Sequence, residues 1–325
     1  MIDAAGQAIL HTTVAALVVE ALLRLWRVDD PGERLAMRWV EMAAPVLLTT
    51  ACLAFFPWRS APWFTERWAL FAGGRWNELS VGGVGLATAA TAALAAIGTA
   101  LYLRDALPFL ADRVARHAPD HGLPGSHPAC QRAQAAFADT TGPALKAPPA
   151  ITVIDVESPV LLCTGIGRTT IVVSTGTLAR LDDAQLAAAF AHEVAHLRRR
   201  DPIAGWWLMA ARTVQFFNPV VQVVARQAVQ ELERRADVEV VAAGRAQALA
   251  AAMQRLSHAA ESHSDLACPP ADRLPDRVFS SAHRHAIDGR CRLLLERRLP
   301  ARRPFRAWRV VLSGAGLAAL LFLVT

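Results

Sequence analysis

At 325 residues the chain can hold one large domain or two smaller ones, and with 54% hydrophobic residues and a mean hydropathy of +0.28 it carries more apolar character than a soluble protein of this length needs, which excludes a disordered chain and points to lipid. The net charge of +6 is almost all arginine, Lys146 being the only lysine; these arginines crowd beside an apolar segment, which favours cytoplasmic loops of a membrane protein over a nucleic-acid patch. Cys52, Cys130, Cys163, Cys268 and Cys291 form no CxxC pair and no even-numbered framework, so neither a thiolate metal site nor a disulfide scaffold is supported.

In chain order, four segments qualify as membrane spans: about residues 4–23, 42–58, 81–103 and 310–325. The N-terminus has no basic n-region and no small-residue cleavage site before its apolar run, so the first segment reads as a retained anchor. It carries His11 and Glu20, which would meet inside a helix bundle or, more simply, snorkel from the segment ends. The second contains Pro45 and is followed by Trp58, Trp63 and Trp68; Trp308 precedes the fourth, as in an interfacial aromatic belt. The third, Val81 to Leu103, has no charged side chain and is long enough to cross.

Orientation follows from the basic stretch Arg290, Arg292, Arg297, Arg298, Arg302, Arg303, Arg306 and Arg309 leading into the last apolar segment, which should be cytoplasmic. Counting back puts residues 104–309 inside, 59–80 outside, 24–41 inside and both termini outside, in the plasma (inner) membrane. Arg24, Arg27, Arg34 and Arg38 in the inner loop against Arg59, Arg67 and Arg75 in the outer one agree with that direction. The expected layout is therefore an N-terminal membrane region, 1–103, a cytoplasmic domain, 104–309, and a fourth span, 310–325.

Within the cytoplasmic segment, Arg104 to Ala138 reads as one or two helices broken by the polar stretch Asp120 to Ser126. The runs Ala150 to Val156, Pro159 to Cys163 and Thr169 to Ser174 are rich in Val, Ile and Thr and give a hairpin-like strand signal. From Leu181 to about Ala259 the pattern is helical, interrupted at Asn218-Pro219. Trp206-Trp207 with Phe216-Phe217 reads equally as core packing or as an amphipathic surface resting on a bilayer. Residues 258–284 read as an irregular loop.

The chemistry lies in Ala191-His192-Glu193-Val194-Ala195-His196, an HExxH on a helix with Asp182 as N-cap and Gln185 three positions on. His192 and His196, one turn apart, point the same way and can share one tetrahedral zinc, with Glu193 beside them to take a proton from the attacking water. A third ligand is needed, and Glu233-Arg234-Arg235-Ala236-Asp237 supplies it: Glu233 can bind the metal while Asp237, a turn later, holds the distal nitrogen of a ligand histidine, His192 by preference. Glu231 competes, but faces about 200° away and has no carboxylate at i+4.

These residues resemble the gluzincin-type integral membrane peptidases, and the BlaR/MecR antirepressor family more closely than HtpX-like proteases. Arg168 to Val173, the block His192 to Asp201, Phe217-Asn218-Pro219, and Glu233 with Asp237 carry the resemblance, as does the order of three spans before the motif and one after. It implies one zinc per chain on His192, His196 and Glu233, Glu193 as general base and Asp237 behind a ligand. It further implies that the strand at Ile171, Val172 and Val173 is an edge against which an extended substrate pairs. Arg290, with Leu294 and Leu295 after it, is similar to the family's late arginine motif; Arg290, His283 and His285 are the candidates for stabilising the transition state, Tyr102 being too far along a span.

The expected fold is thus mainly α: multi-span membrane helices plus a cytoplasmic α+β gluzincin-type zinc peptidase domain with a small β-sheet. The expected function is hydrolysis of peptide bonds in cytoplasmic or membrane-associated proteins, with a transcriptional repressor as the substrate the family suggests. Signalling members continue into an extracellular β-lactam sensor, whereas this chain stops at Thr325, so a β-lactam receptor is not expected and a stimulus would come through the membrane or a sensor partner protein. An HtpX-like quality-control protease, or a non-proteolytic receptor or scaffold with structural zinc, are the competing readings.

Overall fold

The computed structural model describes residues 2–69, 80–81, 83–115, 122–140, 148–164, 169–264, 287–296 and 305–324. It is mainly helical and divides into two compact units: Met1–Ala106, Trp207–Leu232 and Arg303–Thr325 form one, Leu107–Trp206 and Glu233–Arg302 the other.

The first unit begins with α1 (Ile2–Leu25) and α2 (Pro31–Phe55), followed by a 3-10 turn, Pro57–Ser60, and the short α3 (Pro62–Arg67). Asp30 starts α2: its side chain accepts from the Glu33 amide at 2.8 Å, and Pro31 takes the first turn, where its missing N–H costs nothing. A minimal hairpin, β1 (Ser80–Val81) with β2 (Val84–Gly85), precedes α4 (Leu86–Ala115), and α12 (Ala307–Phe322) closes the unit. Ala15, Val19, Leu23, Val28, Met37 and Leu317 form the buried seam of α1, α2 and α12.

Two of these helices are long and apolar enough to cross a bilayer, Ala4–Leu25 and Leu86–Leu107. The helices differ in their bounds from three of the expected spans. The second does not begin at residue 42: α2 starts eleven residues earlier and buries Glu33, Arg38 and Glu41, with Arg38 donating to Glu41 and Glu20 at 2.9 and 2.8 Å. Arg34 and Arg38 are therefore helix residues held in ion pairs, not loop charges facing water, and the loop count that used them loses its margin. The third span starts at Leu86, because residues 80–85 turn in the hairpin. α12 has 16 residues, about 24 Å, short of a ~30 Å core. His11 does not snorkel; it is fully buried, with Nδ1 2.9 Å from Thr49 Oγ1 and Nε2 2.9 Å from the Val324 carbonyl.

The second unit holds α5 (Pro128–Ala138), strands β3 (Ala150–Ile154), β4 (Leu161–Thr164) and β5 (Thr170–Ser174), α6 (Thr175–Arg180) and α7 (Asp183–Arg198). α8 (Asp201–Val214) and α9 (Pro219–Ala242) run on from one unit into the other, and α10 (Ala246–Ser264) and a helical segment at 287–295, α11, complete the chain order. The sheet order is β3-β5-β4, with β5 parallel to β3 and antiparallel to β4. Ile171, Val172 and Val173, expected at an edge, thus lie on the central strand: both rows of their main-chain groups are used by neighbours, and none is open to a substrate. The edge strands are β3, which the Gly122–Ile154 bridge partly covers, and β4.

Period-two alternation buries Ile171 and Val173 against Phe190, Leu186 and Val194 of α7 and Phe137 of α5. Phe190 meets Phe137 edge-on at 5.9 Å between ring centroids. Phe190→Ala is expected to cost about 3–5 kcal/mol of stability, read as a fall in thermal unfolding midpoint, because nothing around a fully buried ring between sheet and helix can close the cavity. The helical stretch after Leu181 breaks where expected, before Pro219, and at two further places. Arg200 adopts φ 58° between α7 and α8, residues 215–218 separate α8 from α9, and Gly244, at φ 73°, ends α9 in a Schellman turn with Arg245 N bonded to Val240 O.

Candidate metal centre

The capping box foreseen at Asp182 forms: the Asp182 carboxylate accepts from Gln185 N at 2.9 Å and Gln185 accepts from Asp182 N at 3.3 Å. It fixes the start of α7, and two turns further on His192 and His196 leave the same face, buried, their Nε2 atoms 3.1 Å apart. Glu233, on α9, brings Oε2 to 3.3 Å from His192 Nε2 and Oε1 to 3.6 Å from His196 Nε2. Two imidazoles and a carboxylate facing one another fit a metal ion, and among the described residues these are the three whose ligand atoms cluster within 4.8 Å.

Each imidazole has a carboxylate behind it. His196 Nδ1 hydrogen-bonds Asp201 Oδ2 at 2.8 Å, and His192 Nδ1 lies 3.2 Å from Asp237 Oδ1, the partner expected for it, but out of hydrogen-bond alignment. With the inner nitrogens facing carboxylates, both Nε2 lone pairs are left for a metal. Asp201 is in turn held by Arg199 at 3.1 Å. Sequence reasoning gave Asp201 no role, because it is five residues past His196, beyond a helical turn; only the left-handed backbone at Arg200 swings it back.

Arg290 closes the other side. Its guanidinium donates to Asp237 through Nη2 and Nε at 2.7 and 2.9 Å, pairs with Glu233 Oε2 through Nη1 at 2.8 Å, and reaches within 3.5 Å of His192 Nε2. His283 and His285 lie outside the described residues. Tyr102 is engaged elsewhere, its hydroxyl 3.1 Å from Thr213 Oγ1, and Glu231 is buried in an ion pair with Arg34 at 2.8 Å, so the competing ligand is committed to another partner.

Burial opposes a charged imidazole at His192, yet the hydrogen bonds and charges of Asp237 and Glu233 outweigh it and lift the group to about 9. Burial would likewise raise the Glu233 and Asp237 carboxyls, but the bonds and charges of His192 and Arg290 hold both below the usual carboxylate range. One more group was not foreseen: burial first, then the nearby Glu193 charge, pushes the thiol of Cys163 on β4 up, so it stays a neutral S–H.

Two apolar helices of bilayer length, and two histidines on a capped HExxH helix joined by Glu233 of α9, fit the class of membrane-associated peptidases. The profile of one family, BlaR1 peptidase M56, matches residues 95–272, more than half of the chain, and the chain belongs to that family. It is also similar to a protein named Protease HtpX homolog from Acidiphilium cryptum (strain JF-5), 43% identical over 58 residues, 17% of this chain. The match spans 20% of that relative's length.

Proposed function

We propose that the protein is an integral membrane zinc endopeptidase in which His192, His196 and Glu233 hold the metal, Glu193 is the general base, and Asp237 and Asp201 fix the two imidazoles. The observation that carries this is the donor cluster. Zinc bonds of about 2.05 Å in a tetrahedron give donor–donor edges of about 3.3 Å; the two Nε2 atoms here are 3.1 Å apart, and the Glu233 carboxylate brings Oε2 to 3.3 Å from His192 and Oε1 to 3.6 Å from His196. Two imidazoles and one carboxylate are a catalytic zinc set, which keeps one position open.

Zinc at this point would polarise the scissile carbonyl and make a water acidic near neutral pH. Glu193 receives the proton of the attacking water and passes it to the leaving amine, a transfer typically worth 10²–10⁴-fold. Arg290, already beside Glu233, is the candidate nearest the reacting atoms for stabilising the developing oxyanion. An extended substrate would pair with the outer edge of β4, which carries Cys163 next to Glu193, rather than with Ile171–Val173. The substrate is a cytoplasmic or membrane-associated protein; the BlaR1 peptidase family supports cleavage of a transcriptional repressor, with quality-control proteolysis as the alternative. Incubating the purified protein and its Glu193→Gln form with candidate substrates and measuring zinc content alongside tests the reading.

Two quantitative outcomes follow. Asp201→Asn is expected to lower zinc affinity about 10–100-fold in a chelator competition, because His196 loses the carboxylate that orients it. Zinc uptake must also displace a proton. His192 is raised from 6.5 to about 9 in the metal-free site, so its charge stabilises the fold fully below pH 6.5 and that contribution is lost as pH rises through about 9. Over the same window apparent zinc affinity should climb, and calorimetric titrations near pH 7 in buffers of different ionisation enthalpy should register proton release. Unchanged affinity between pH 6.5 and 9 would count against His192 as a ligand.

A further inference from the structure

The segment Trp207–Leu232 belongs to the same compact unit as the apolar helices. It comprises the second half of α8, the turn at 215–218 and the first half of α9, so it is a helical hairpin. Its surface is inverted relative to a protein in water. Between Trp207 and Arg226 the exposed residues are Trp207, Ala210, Thr213, Val214, Phe216 and Val223, and the one polar side chain among them, Thr213, bonds the Met209 carbonyl and Tyr102.

The strongly polar side chains point inward. Asn218, fully buried, donates to Thr12 Oγ1 at 3.0 Å; Gln222, also fully buried, donates to the Gln215 carbonyl at 3.3 Å; Gln215 donates to Met42 O at 3.4 Å. Arg212 and Arg226 both reach Asp105, at 2.6 and 2.9 Å. Polar groups satisfied inside and apolar groups outside is the arrangement that hydrocarbon demands.

Depth can be read from α4. Gly98 lets the hairpin turn come against it, since a Cβ there would collide with the Phe217 carbonyl. Along the candidate span Leu86–Leu107, Gly98 lies about 18 Å from one end and about 14 Å from the other, close to the middle. Asp105 is seven residues on, about 10 Å, and Arg226 is seven residues from Pro219, again about 10 Å. The tip is therefore at mid-span while the charged cluster Asp105–Arg212–Arg226 sits near one end of it.

From these observations we propose that Trp207–Leu232 is a re-entrant hairpin: it enters the bilayer from the side of the Asp105 cluster, turns at Phe217-Asn218-Pro219 near the hydrocarbon midplane, and returns, its exposed Trp207, Val214, Phe216 and Val223 in contact with acyl chains. From Trp207 to Val214 the helix covers about 10 Å and the turn beyond it lengthens the arm only slightly, far short of a ~30 Å core, so the hairpin reaches towards the middle and does not cross. The occupant of this apolar face is lipid, and the inference requires membrane association but not the peptidase assignment.

Single cysteines at Ala210, Val214 and Val223, and at Gln230 as a position near water, in the full chain with native cysteines replaced and reconstituted in phosphatidylethanolamine–phosphatidylglycerol vesicles, test it. A membrane-impermeant maleimide admitted to both faces should modify Gln230→Cys promptly and the other three at least tenfold more slowly, all four reacting fully in detergent. A bimane attached at the three slow positions should be quenched by lipids brominated in mid-chain. Reaction at Ala210→Cys and Val223→Cys as fast as at Gln230→Cys would overturn the proposal, as would protection without quenching, which would mean that a second copy of the protein covers the face. Ala210→Cys changes side-chain volume little, so the test stands even where Val214→Cys perturbs packing.

Discussion

Replacing Glu193 with glutamine is expected to lower peptide cleavage by a factor on the order of 10³ while leaving one zinc per chain. Glutamine keeps the size of the side chain but cannot accept and return a proton, so only the proton transfer is removed. Glu193 is not one of the three clustered donors, which are His192, His196 and Glu233. Metal content should therefore be indifferent to the change. This separates the enzyme from a scaffold with structural zinc, since a purely structural site has no use for a base beside the metal. A variant that cleaved as fast as the parent would sink the role given to Glu193. A zinc-replete parent that cleaved no substrate would favour the scaffold. Loss of zinc together with activity would mean that Glu193 also supports the site, through its neighbour His192.

What the sequence disclosed about this site was everything governed by helix periodicity. His192 and His196 at i and i+4, Glu233 and Asp237 at i and i+4, and Asp182 with Gln185 as a capping box are local patterns, and each appears where the spacing put it. What it concealed depends on a backbone that leaves the helix. Asp201 reaches His196 only because Arg200 takes a left-handed conformation, for which an arginine gives no warning, whereas Gly244 marks its turn openly. The strand error has a similar origin. Ile171 to Val173 reads as a strand from composition, but whether a strand is central or at an edge is set by its partners, and β3 and β4 come from residues up to 20 positions away.

The membrane region was misread for a different reason. A hydropathy window sees Arg34, Arg38 and Glu41 as the end of an apolar run and so as a loop; the fold pairs them with Glu231, Glu20 and one another inside a helix that began at Pro31. Charge that is neutralised across helices remains invisible to a count along the chain. The same blindness hid Trp207–Leu232, whose five buried or half-buried polar residues, Arg212, Gln215, Asn218, Gln222 and Arg226, make it look water-loving although each is turned inward.

Glu233 and Glu231, two residues apart on α9, provide the second large effect, because their substitution should have opposite consequences. Glu233→Ala removes one of three protein ligands. If the free energy of a structural-type zinc site, about 10–16 kcal/mol, is shared among three ligands, the loss is about 3–5 kcal/mol, on the order of 10²–10⁴-fold in zinc affinity. The fold should tolerate the change, since Glu233 is a third exposed and Arg290 keeps Asp237 as a partner. Glu231→Ala should leave zinc bound stoichiometrically but lower stability by about 1–3 kcal/mol, because Arg34 loses a buried charge-assisted hydrogen bond. Zinc analysis after chelator dialysis and thermal unfolding of both variants would read the two effects separately. The reverse pattern, with zinc lost on Glu231→Ala and retained on Glu233→Ala, would exchange the roles of the two carboxylates and remove the basis for the His192–His196–Glu233 site. Zinc retained by both would send the search for the third ligand outside α9.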